Sequence, residues 1–189
     1  IEYYRLCAKY GREGNFDGIE FQGSHSSILR QFLSPYSNKR TDEYGGNLEN
    51  RFRIVKDIGA AVRAAIGPDM ALGIRLSGEE FTEGGLTLVD TVEIAKLVEA
   101  CGYFDYINVS IGIATHKLFL VEGTMRIPPV YASYMSAAIK KAVKLPVVAV
   151  GRIKDPKQGE KILTEGSCDL VGIVRGQISD PFFVAKTIA

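Results

Sequence analysis

The polar residues that follow the first apolar run of the sequence are well suited to chemistry. The run "FDGIEF" leads directly into Gln22 and His25. A neutral imidazole donates one hydrogen bond and accepts one, and a glutamine amide can also donate and accept. His25 is therefore a candidate to hold a carbonyl oxygen or to take a proton from an amine, and Gln22 is a candidate to donate a hydrogen bond beside it. The alternative for His25 is a core histidine bonded to backbone groups.

The later apolar runs also end in residues that carry charge or hydrogen-bonding groups. These residues are Arg75 and Ser77, Asn108 and Ser110, Gly151 and Arg152, and Arg175. In a (β/α)8 barrel the carboxyl ends of the strands meet at one face, and that face carries the active site. We therefore expect these side chains to gather at one end of a sheet.

Two of these strand ends are alike and predict a phosphate site. "AVGRIKDP" and "VGIVRGQISDP" each end in a turn of small residues followed by arginine. Gly151 would let the backbone approach a ligand closely, while Arg152 and Arg175 can donate charge-assisted hydrogen bonds. Barrels often hold a phosphate between the loops after strands 7 and 8. The alternative is that both arginines are solvated or ion-paired.

Arg75 leaves an apolar strand at the same end of the predicted sheet. A cation in such a place costs desolvation energy unless it meets an anion or a polarised oxygen. A structural partner such as Glu79 or Glu80 is one explanation. A reduced flavin, which carries negative charge on its pyrimidine ring, is another.

Apolar periodicity divides the chain into alternating helices and strands. The strands are short and rich in Val and Ile, which is typical of strands buried on both faces of a parallel sheet. Helices are predicted over 1–10, 47–67, 86–102, 131–143, 156–166 and from 180, and strands over 16–21, 70–77, 104–112, 145–152 and 168–175.

This order fits either a doubly wound sheet or a TIM (β/α)8 barrel, and the polar strand ends favour the barrel. Eight strands need about 250 residues, and the sequence predicts only five strands. We therefore expect one domain over residues 1–189 that holds strands 4–8 of a barrel, with about three βα units missing and two sheet edges unpaired.

Composition narrows the class of function. The chain has 46% hydrophobic and 24% charged residues and a net charge of +1, which gives no footprint for nucleic acid or a membrane surface. No apolar run approaches the roughly 20 residues of a membrane helix. Cys7, Cys101 and Cys168 have no metal-ligand or redox spacing, so we expect no metal site and buried free thiols. We expect a cytoplasmic homo-oligomer that acts on a small molecule.

The order of motifs resembles that of the Old Yellow Enzyme superfamily of NADH:flavin oxidoreductases. "SPYSNKRTDEYGGNLENR" is the most specific segment, and "GIRLSGEEFTEGGLT", "INVSIG", "PVVAVGRIKDP" and "DLVGIVRGQISDP" follow it in order. The most similar branch contains trimethylamine dehydrogenase and 2,4-dienoyl-CoA reductase. The resemblance covers nearly the whole chain and corresponds to the second part of the family's flavin barrel.

The resemblance implies an activity and its cofactors. It implies hydride transfer through FMN between NAD(P)H and an activated alkene, either an enone or an enoyl thioester. The dehydrogenation of N-methyl amines is the alternative within the family. An iron–sulfur cluster or FAD would belong only to a further C-terminal region.

Cofactor-binding residues carry over from the family by position. Arg75 matches the arginine beside the pyrimidine edge of the flavin, where it would stabilise the reduced form. Gly151, Arg152, Val174 and Arg175 match the phosphate-binding turns.

The substrate-binding motif departs from the family pattern. The family pattern His-Gly-Ala-His/Asn-Gly-Tyr aligns with "QGSHSS", so Gln22 replaces the first ligand and His25 keeps the second. Ser27 replaces the tyrosine that donates a proton, and a serine is a far poorer acid. His116 lies roughly where dienoyl-CoA reductases carry a histidine. It could replace that acid or be a surface residue.

Two further readings stay open. A flavin-free barrel enzyme that acts on a phosphorylated substrate would use the same phosphate turns, but it gives no account of Arg75 together with His25. The chain could also be catalytically incompetent by itself, because the first strands of the family barrel, which contact the flavin ring, are absent from this chain.

Overall fold

The computed structural model describes residues 1–188, and it alternates helices with strands along the chain. The helices are α1 (Glu2–Glu13), α2 (Ile28–Leu33), α3 (Leu48–Ile66), α4 (Leu88–Cys101), α5 (Ala114–Glu122), α6 (Ser133–Ala142), α7 (Pro156–Thr164), α8 (Arg175–Ser179) and α9 (Phe183–Ile188). The strands are β1 (Gly18–Gly23), β2 (Ala71–Ser77), β3 (Tyr106–Ser110), β4 (Val147–Ala149) and β5 (Leu170–Val171).

The five strands form one parallel sheet in which spatial order follows chain order, β1-β2-β3-β4-β5. One row of the register runs from Gln22 through Arg75 and Asn108 to Val148. A doubly wound sheet reverses its strand order at a switch point, whereas a barrel keeps neighbours in sequence. The prediction of five parallel strands in barrel order is therefore confirmed.

The two faces of the sheet differ in polarity. The side chains that pack under the helices are apolar and almost fully buried, as Phe21, Ile74 and Ile107 illustrate. The alternate positions, which face inward, include Glu20 and Arg75, and Leu170 on this face is 53% exposed. The expectation that every strand is buried on both faces is therefore wrong, because the inward face is polar or uncovered within the described residues.

Capping residues fix where the long helices begin and end. The Asn47 side chain accepts a hydrogen bond from the Asn50 N–H at 2.9 Å, and Thr87 forms a capping box with Asp90. Gly102 ends α4 with a φ of +72°, a conformation that glycine adopts without strain. These boundaries agree with the sequence prediction.

Three short helices were not predicted. Helices α2 and α8 have six and five residues, which is too short for an apolar period to be visible. Helix α5 lacks a capping side chain and contains a non-helical residue, Lys117.

Cys7 is exposed on α1, so the expectation that all three thiols are buried is wrong.

The amino-terminal end of the sheet is braced by two aspartates with the same role. Asp105 accepts hydrogen bonds from the Leu72 N–H at 2.7 Å and from Arg63 at 2.6 Å. Asp169 likewise accepts from the Val147 N–H at 2.9 Å and pairs with Lys140. Each aspartate precedes a strand and satisfies an N–H near the start of the preceding strand, so this end of the sheet is structural.

A buried ion pair joins α2 to the loop after β2. Glu80 is fully buried and accepts hydrogen bonds from Arg30 at 3.1 Å, from Ser34 at 2.6 Å and from the Leu86 N–H at 2.9 Å. Because α2 begins three residues after His25, this pair fixes the loop that carries the histidine.

Among residues 1–188 no helix is both long enough and apolar enough to span a membrane.

We expect Glu80→Ala to lower the free energy of unfolding by about 3–5 kcal/mol, because it leaves the Arg30 guanidinium buried without a counter-charge. Urea denaturation would measure the change. The matched control is Glu93→Ala, which removes an exposed pair with Lys96 and should cost less than about 1 kcal/mol. Equal losses in the two variants would contradict a stabilising role for the buried pair.

Candidate active site

A cleft of about 750 Å³ lies at the carboxyl ends of the strands, within the range of small-molecule sites. Strands β2 and β3 contribute residues at their ends. Strands β1, β4 and β5 contribute the loops that follow them, and the loop after β1 carries His25. The lining includes His25, Arg75, Asn108, Ser110 and Tyr131, and residues from the ranges 121–125, 150–154 and 172–176. Of the strand-end residues from β2 onward that were predicted to gather, all but Ser77 line this cleft, and the buried Ser77 hydroxyl donates to the Gly112 carbonyl.

His25 is held in the cleft by two serines from neighbouring strands. Its N–H donates to Ser77 Oγ at 3.3 Å, and its ring Nε2 lies 2.6 Å from Ser110 Oγ. Its φ of +59° is uncommon outside glycine, and this local conformation accompanies the approach of the ring to β3. The ring partner is a side chain in the cleft, so His25 is not a core histidine bonded to backbone.

The surroundings of His25 favour a neutral ring. Burial is the main cause that lowers the pKa of His25, and the positive charge of Arg75 lowers it further. With Nε2 engaged by Ser110, Nδ1 has no hydrogen-bond partner among residues 1–188. A neutral ring held in this way offers Nδ1 to a ligand, either as a donor or as an acceptor according to the tautomer.

Gln22 does not share the cleft with His25. Its Oε1 accepts a hydrogen bond from Ser24 Oγ at 2.6 Å, and the residue borders a separate groove between α1 and the free edge of β1. The structure therefore does not bring the two predicted substrate ligands together. Gln22 lies on the edge strand and borders the groove beside α1, whereas His25 lies in the loop beyond the strand and reaches Ser110 on β3.

Ser27 and His116 also lie apart from the lining of the cleft. The Ser27 hydroxyl accepts a hydrogen bond from the Arg30 N–H at 3.3 Å and caps α2. His116 is exposed on α5, where Nε2 lies 3.0 Å from the hydroxyl of Tyr36 and the two rings meet edge to face. Neither residue is placed to deliver a proton into the cleft in this conformation.

The ion-pair partner of Arg75 is Glu20 and not Glu79 or Glu80, the structural partners expected from the sequence. Arg75 Nε lies 3.3 Å from Glu20 Oε1, while Glu80 is paired with Arg30 instead. Glu20 Oε2 accepts a hydrogen bond from Asn108 Nδ2 at 3.0 Å. The sequence contained an indication of this ion pair, because Glu20 is a carboxylate within the apolar run "FDGIEF".

Tyr106 completes this polar cluster on the inward face of the sheet. A side chain at Gly73 would put its Cβ 2.1 Å from the Tyr106 ring, so the glycine makes room for the tyrosine. Burial, followed by the negative charge of Glu20, raises the pKa of Tyr106 to about 12. The phenol is therefore protonated throughout the neutral range.

At the arginine end of the cleft, hydrogen-bonding capacity remains unused beside the ion pair of Arg75 with Glu20. Arg75 Nε and Asn108 Oδ1 are both buried, and neither has a well-aligned hydrogen bond. The terminal nitrogens of Arg75 likewise have no partner among residues 1–188. Unmet donors beside an unmet acceptor fit the pyrimidine edge of a flavin, which presents carbonyl oxygens and an N–H.

The opposite end of the cleft fits a phosphate. Gly151 has a φ of +125°, and a Cβ there would lie 2.8 Å from the Ala132 Cβ. A Cβ at Gly172 would lie 2.7 Å from Val150 Cγ1. Both turns therefore require glycine, and both leave backbone at the cleft surface where an anion can approach.

Arg152 and Arg175 accompany these turns and face a common segment. Arg152 donates to the carbonyl of Ile127, and Arg175 donates to the carbonyl of Glu122 at the end of α5. Neither arginine is ion-paired within residues 1–188, and each keeps further N–H groups for a ligand. Val174 precedes α8 at the same turn and is 69% exposed.

No cluster of three potential metal ligands occurs in the described part of the chain.

Comparison with known proteins shows the family to which the chain belongs. The sequence profile of the NADH:flavin oxidoreductase / NADH oxidase family matches residues 1–188. The chain is 41% identical to the N,N-dimethylglycine/sarcosine dehydrogenase of Chromohalobacter salexigens over 188 residues, which is 98% of this chain and 27% of that protein. It is also 41% identical to the NADH oxidase of Thermoanaerobacter brockii over 186 residues, which is 98% of this chain and 28% of that protein.

A solved structure of similar fold is that of 2-naphthoyl-CoA reductase in complex with 2-naphthoyl-CoA. It superposes with a TM-score of 0.92 at 30% sequence identity, and the match covers 99% of this chain and 28% of that one. This chain thus spans little more than a quarter of the length of these three proteins.

We expect the His25 ring to titrate below the ordinary histidine value of 6.5, because burial and Arg75 both disfavour its charged form. NMR titration of the ring resonances, assigned through His25→Gln, would measure it. A depressed pKa means that the unfolded chain binds the proton first, so stability is lost as the pH falls from about 6.5 through the folded pKa. His25→Gln should reduce that loss. A pKa at or above 6.5 would contradict the described environment.

Proposed function

Because this chain belongs to the NADH:flavin oxidoreductase / NADH oxidase family, we propose that its cleft holds FMN and serves hydride transfer between NAD(P)H and an activated alkene. One observation carries the proposal: Arg75, His25 and both glycine–arginine turns line a single cleft. Bound FMN would supply the redox chemistry, accepting and donating hydride. A flavin-free enzyme acting on a phosphorylated substrate would use the turns but would leave the unmet groups of Arg75 unexplained.

Each part of the cleft has a distinct role in this proposal. The backbone at Gly151 and the side chains of Arg152 and Arg175 bind the phosphate. The free N–H groups of Arg75 stabilise negative charge at the pyrimidine edge. His25, placed beside Arg75 and held by Ser110, orients the substrate.

The tautomer of His25 matters for the class of substrate. If Ser110 donates its proton to Nε2, then Nδ1 carries the hydrogen and can donate to the carbonyl oxygen of an enone or enoyl thioester. That oxygen draws electrons from the alkene, which makes its β-carbon a hydride acceptor. The accompanying proton would come from solvent, because Ser27 is occupied as a helix cap.

Oxidation of an N-methyl amine is a second candidate function. The use of the Ser27 hydroxyl as the cap of α2 favours it. Amine oxidation needs no acid to protonate carbon, so the loss of the family tyrosine costs it nothing. In the other tautomer, Nε2–H donates to Ser110 and Nδ1 accepts a proton from the amine. The lowered pKa of His25 keeps the ring neutral, which leaves a lone pair on Nδ1 in this tautomer, and it also makes the ring a weaker base.

Anaerobic flavin absorbance would test the proposed function. Holoenzyme with oxidised flavin should be bleached by a methylated amine if the protein is an amine dehydrogenase. Holoenzyme reduced by NAD(P)H should regain its colour with an enone or enoyl thioester if the protein is an alkene reductase. Purified protein without flavin absorbance, and without affinity for added FMN, would overturn the proposal.

We expect His25→Ala to slow the half-reaction with substrate about a hundredfold, because it removes one hydrogen bond aimed at charge that develops in the transition state, worth about 3 kcal/mol. Stopped-flow absorbance would measure this half-reaction and the reduction by NAD(P)H separately, and FMN content should stay unchanged. His116→Ala is the matched control and should leave both half-reactions near wild type. A wild-type substrate rate in His25→Ala would make His25 structural.

A further inference from the structure

Glu20 is the charged group in direct contact with the arginine of the cleft, and the proposed function gives it no role. Its Oε1 lies 3.3 Å from Arg75 Nε, and its Oε2 accepts a hydrogen bond from Asn108 Nδ2 at 3.0 Å. The side chains of Glu20 and Arg75 are 28% and 27% exposed, so water screens the pair only in part. A carboxylate in this place changes the electrostatic potential that Arg75 presents to a ligand.

Glu20 reaches Arg75 from outside the cleft. Arg75 lines the cleft, but Glu20 does not, and it borders the groove at the free edge of β1 instead. Glu20 approaches Nε, which leaves the terminal nitrogens of the guanidinium without a partner among the described residues. The carboxylate can therefore act on a ligand through its charge and through Arg75 without touching the ligand.

The strand pairing makes this contact a fixed feature of the sheet. Glu20 lies opposite Gly73 and Gln22 lies opposite Arg75, so Glu20 is the residue diagonal to Arg75 on the same face. Gly73 carries no side chain, so the Tyr106 ring lies over it, beside Glu20. Asn108, the register partner of Arg75 on β3, holds the second carboxylate oxygen.

On the basis of the proposed FMN site, we propose that Glu20 sets the reduction potential of the flavin by offsetting part of the positive charge of Arg75. A cation at the pyrimidine edge favours the reduced flavin, because reduction adds negative charge there. A carboxylate bonded to that cation opposes the effect, since unit charges a few ångströms apart are weakly screened in a partly buried site. Glu20 is thus a positioning and tuning residue and not a catalytic one.

The sign of the change distinguishes this role from a structural one. If Glu20 acts through its charge, Glu20→Gln should raise the potential, because the isosteric amide keeps a hydrogen bond to Asn108 while the negative charge is lost. If Glu20 only holds Arg75 in place, the same variant should lower the potential, which is also the direction expected for Arg75→Ala. The two roles therefore predict opposite shifts.

The test is the midpoint potential of the FMN-loaded holoenzyme, measured spectrophotometrically against a reference dye. We expect Glu20→Gln to shift the equilibrium between oxidised and reduced flavin about tenfold toward reduced, which is about 30 mV for a two-electron couple. We expect Arg75→Ala to shift it in the opposite direction. Glu93→Gln on α4 is the matched control, with the same change of charge at an exposed pair, and should shift the ratio less than about twofold.

Failure of this inference is distinguishable from failure of the proposed function. Protein that binds no FMN would overturn both. Bound FMN with an unchanged or lowered potential in Glu20→Gln would overturn only the role of Glu20. If Glu20→Gln does not fold, Asn108→Asp adds a negative charge to the same cluster. Measured at a pH that ionises both carboxylates, it should lower the potential, and an unchanged value would overturn the inference.

Discussion

The parallel register of β1, β2 and β3 is the constraint on which the cleft depends. It places Arg75 beside Asn108 and diagonal to Glu20, so that one cation, one carboxylate and one amide share the inward face of the sheet. A slip of one residue in β2 would turn Arg75 under the helices and bring Ile74 inward. The apolar face prevents that slip, because Ile74 and its neighbours are fully buried there. The packing of the core thus fixes the position of the charge.

Loop conformations at the carboxyl ends of the strands complete the site. His25 and Arg152 have positive φ values of 59° and 56°, and Gly151 lies at +125°. For residues other than glycine such conformations carry a cost that the surrounding contacts must offset. At His25 those contacts are Ser77 and Ser110, from two neighbouring strands. Of the five such residues in the described part of the chain, His25 and Arg152 line the cleft, whereas Asn15, Phe81 and Val130 do not.

The two ends of the sheet use ion pairs differently. At the amino-terminal end, Asp105 and Asp169 satisfy backbone N–H groups, and each pairs with a cation on a helix. At the carboxyl end, Arg75 and Arg175 keep donors that no described protein group accepts. This division is the usual one in (β/α)8 barrels, where stability is built at one end and chemistry at the other.

The sequence by itself determined the order of the strands and of the long helices, but not the short helices α2, α5 and α8 or the short extent of β4 and β5. Local signals were sufficient for the cap at Asn47, the glycine stop at Gly102 and the glycine–arginine turn at Gly151, because each depends on residues close together in the chain. The tertiary structure alone decided which side chains in and around the cleft form ion pairs and hydrogen bonds with one another. It paired Arg75 with Glu20 across 55 positions, it placed Ser110 against His25, and it left Gln22 outside the cleft. Strand alternation gives the face on which a side chain lies, but only the pairing of distant strands decides which side chains meet on it.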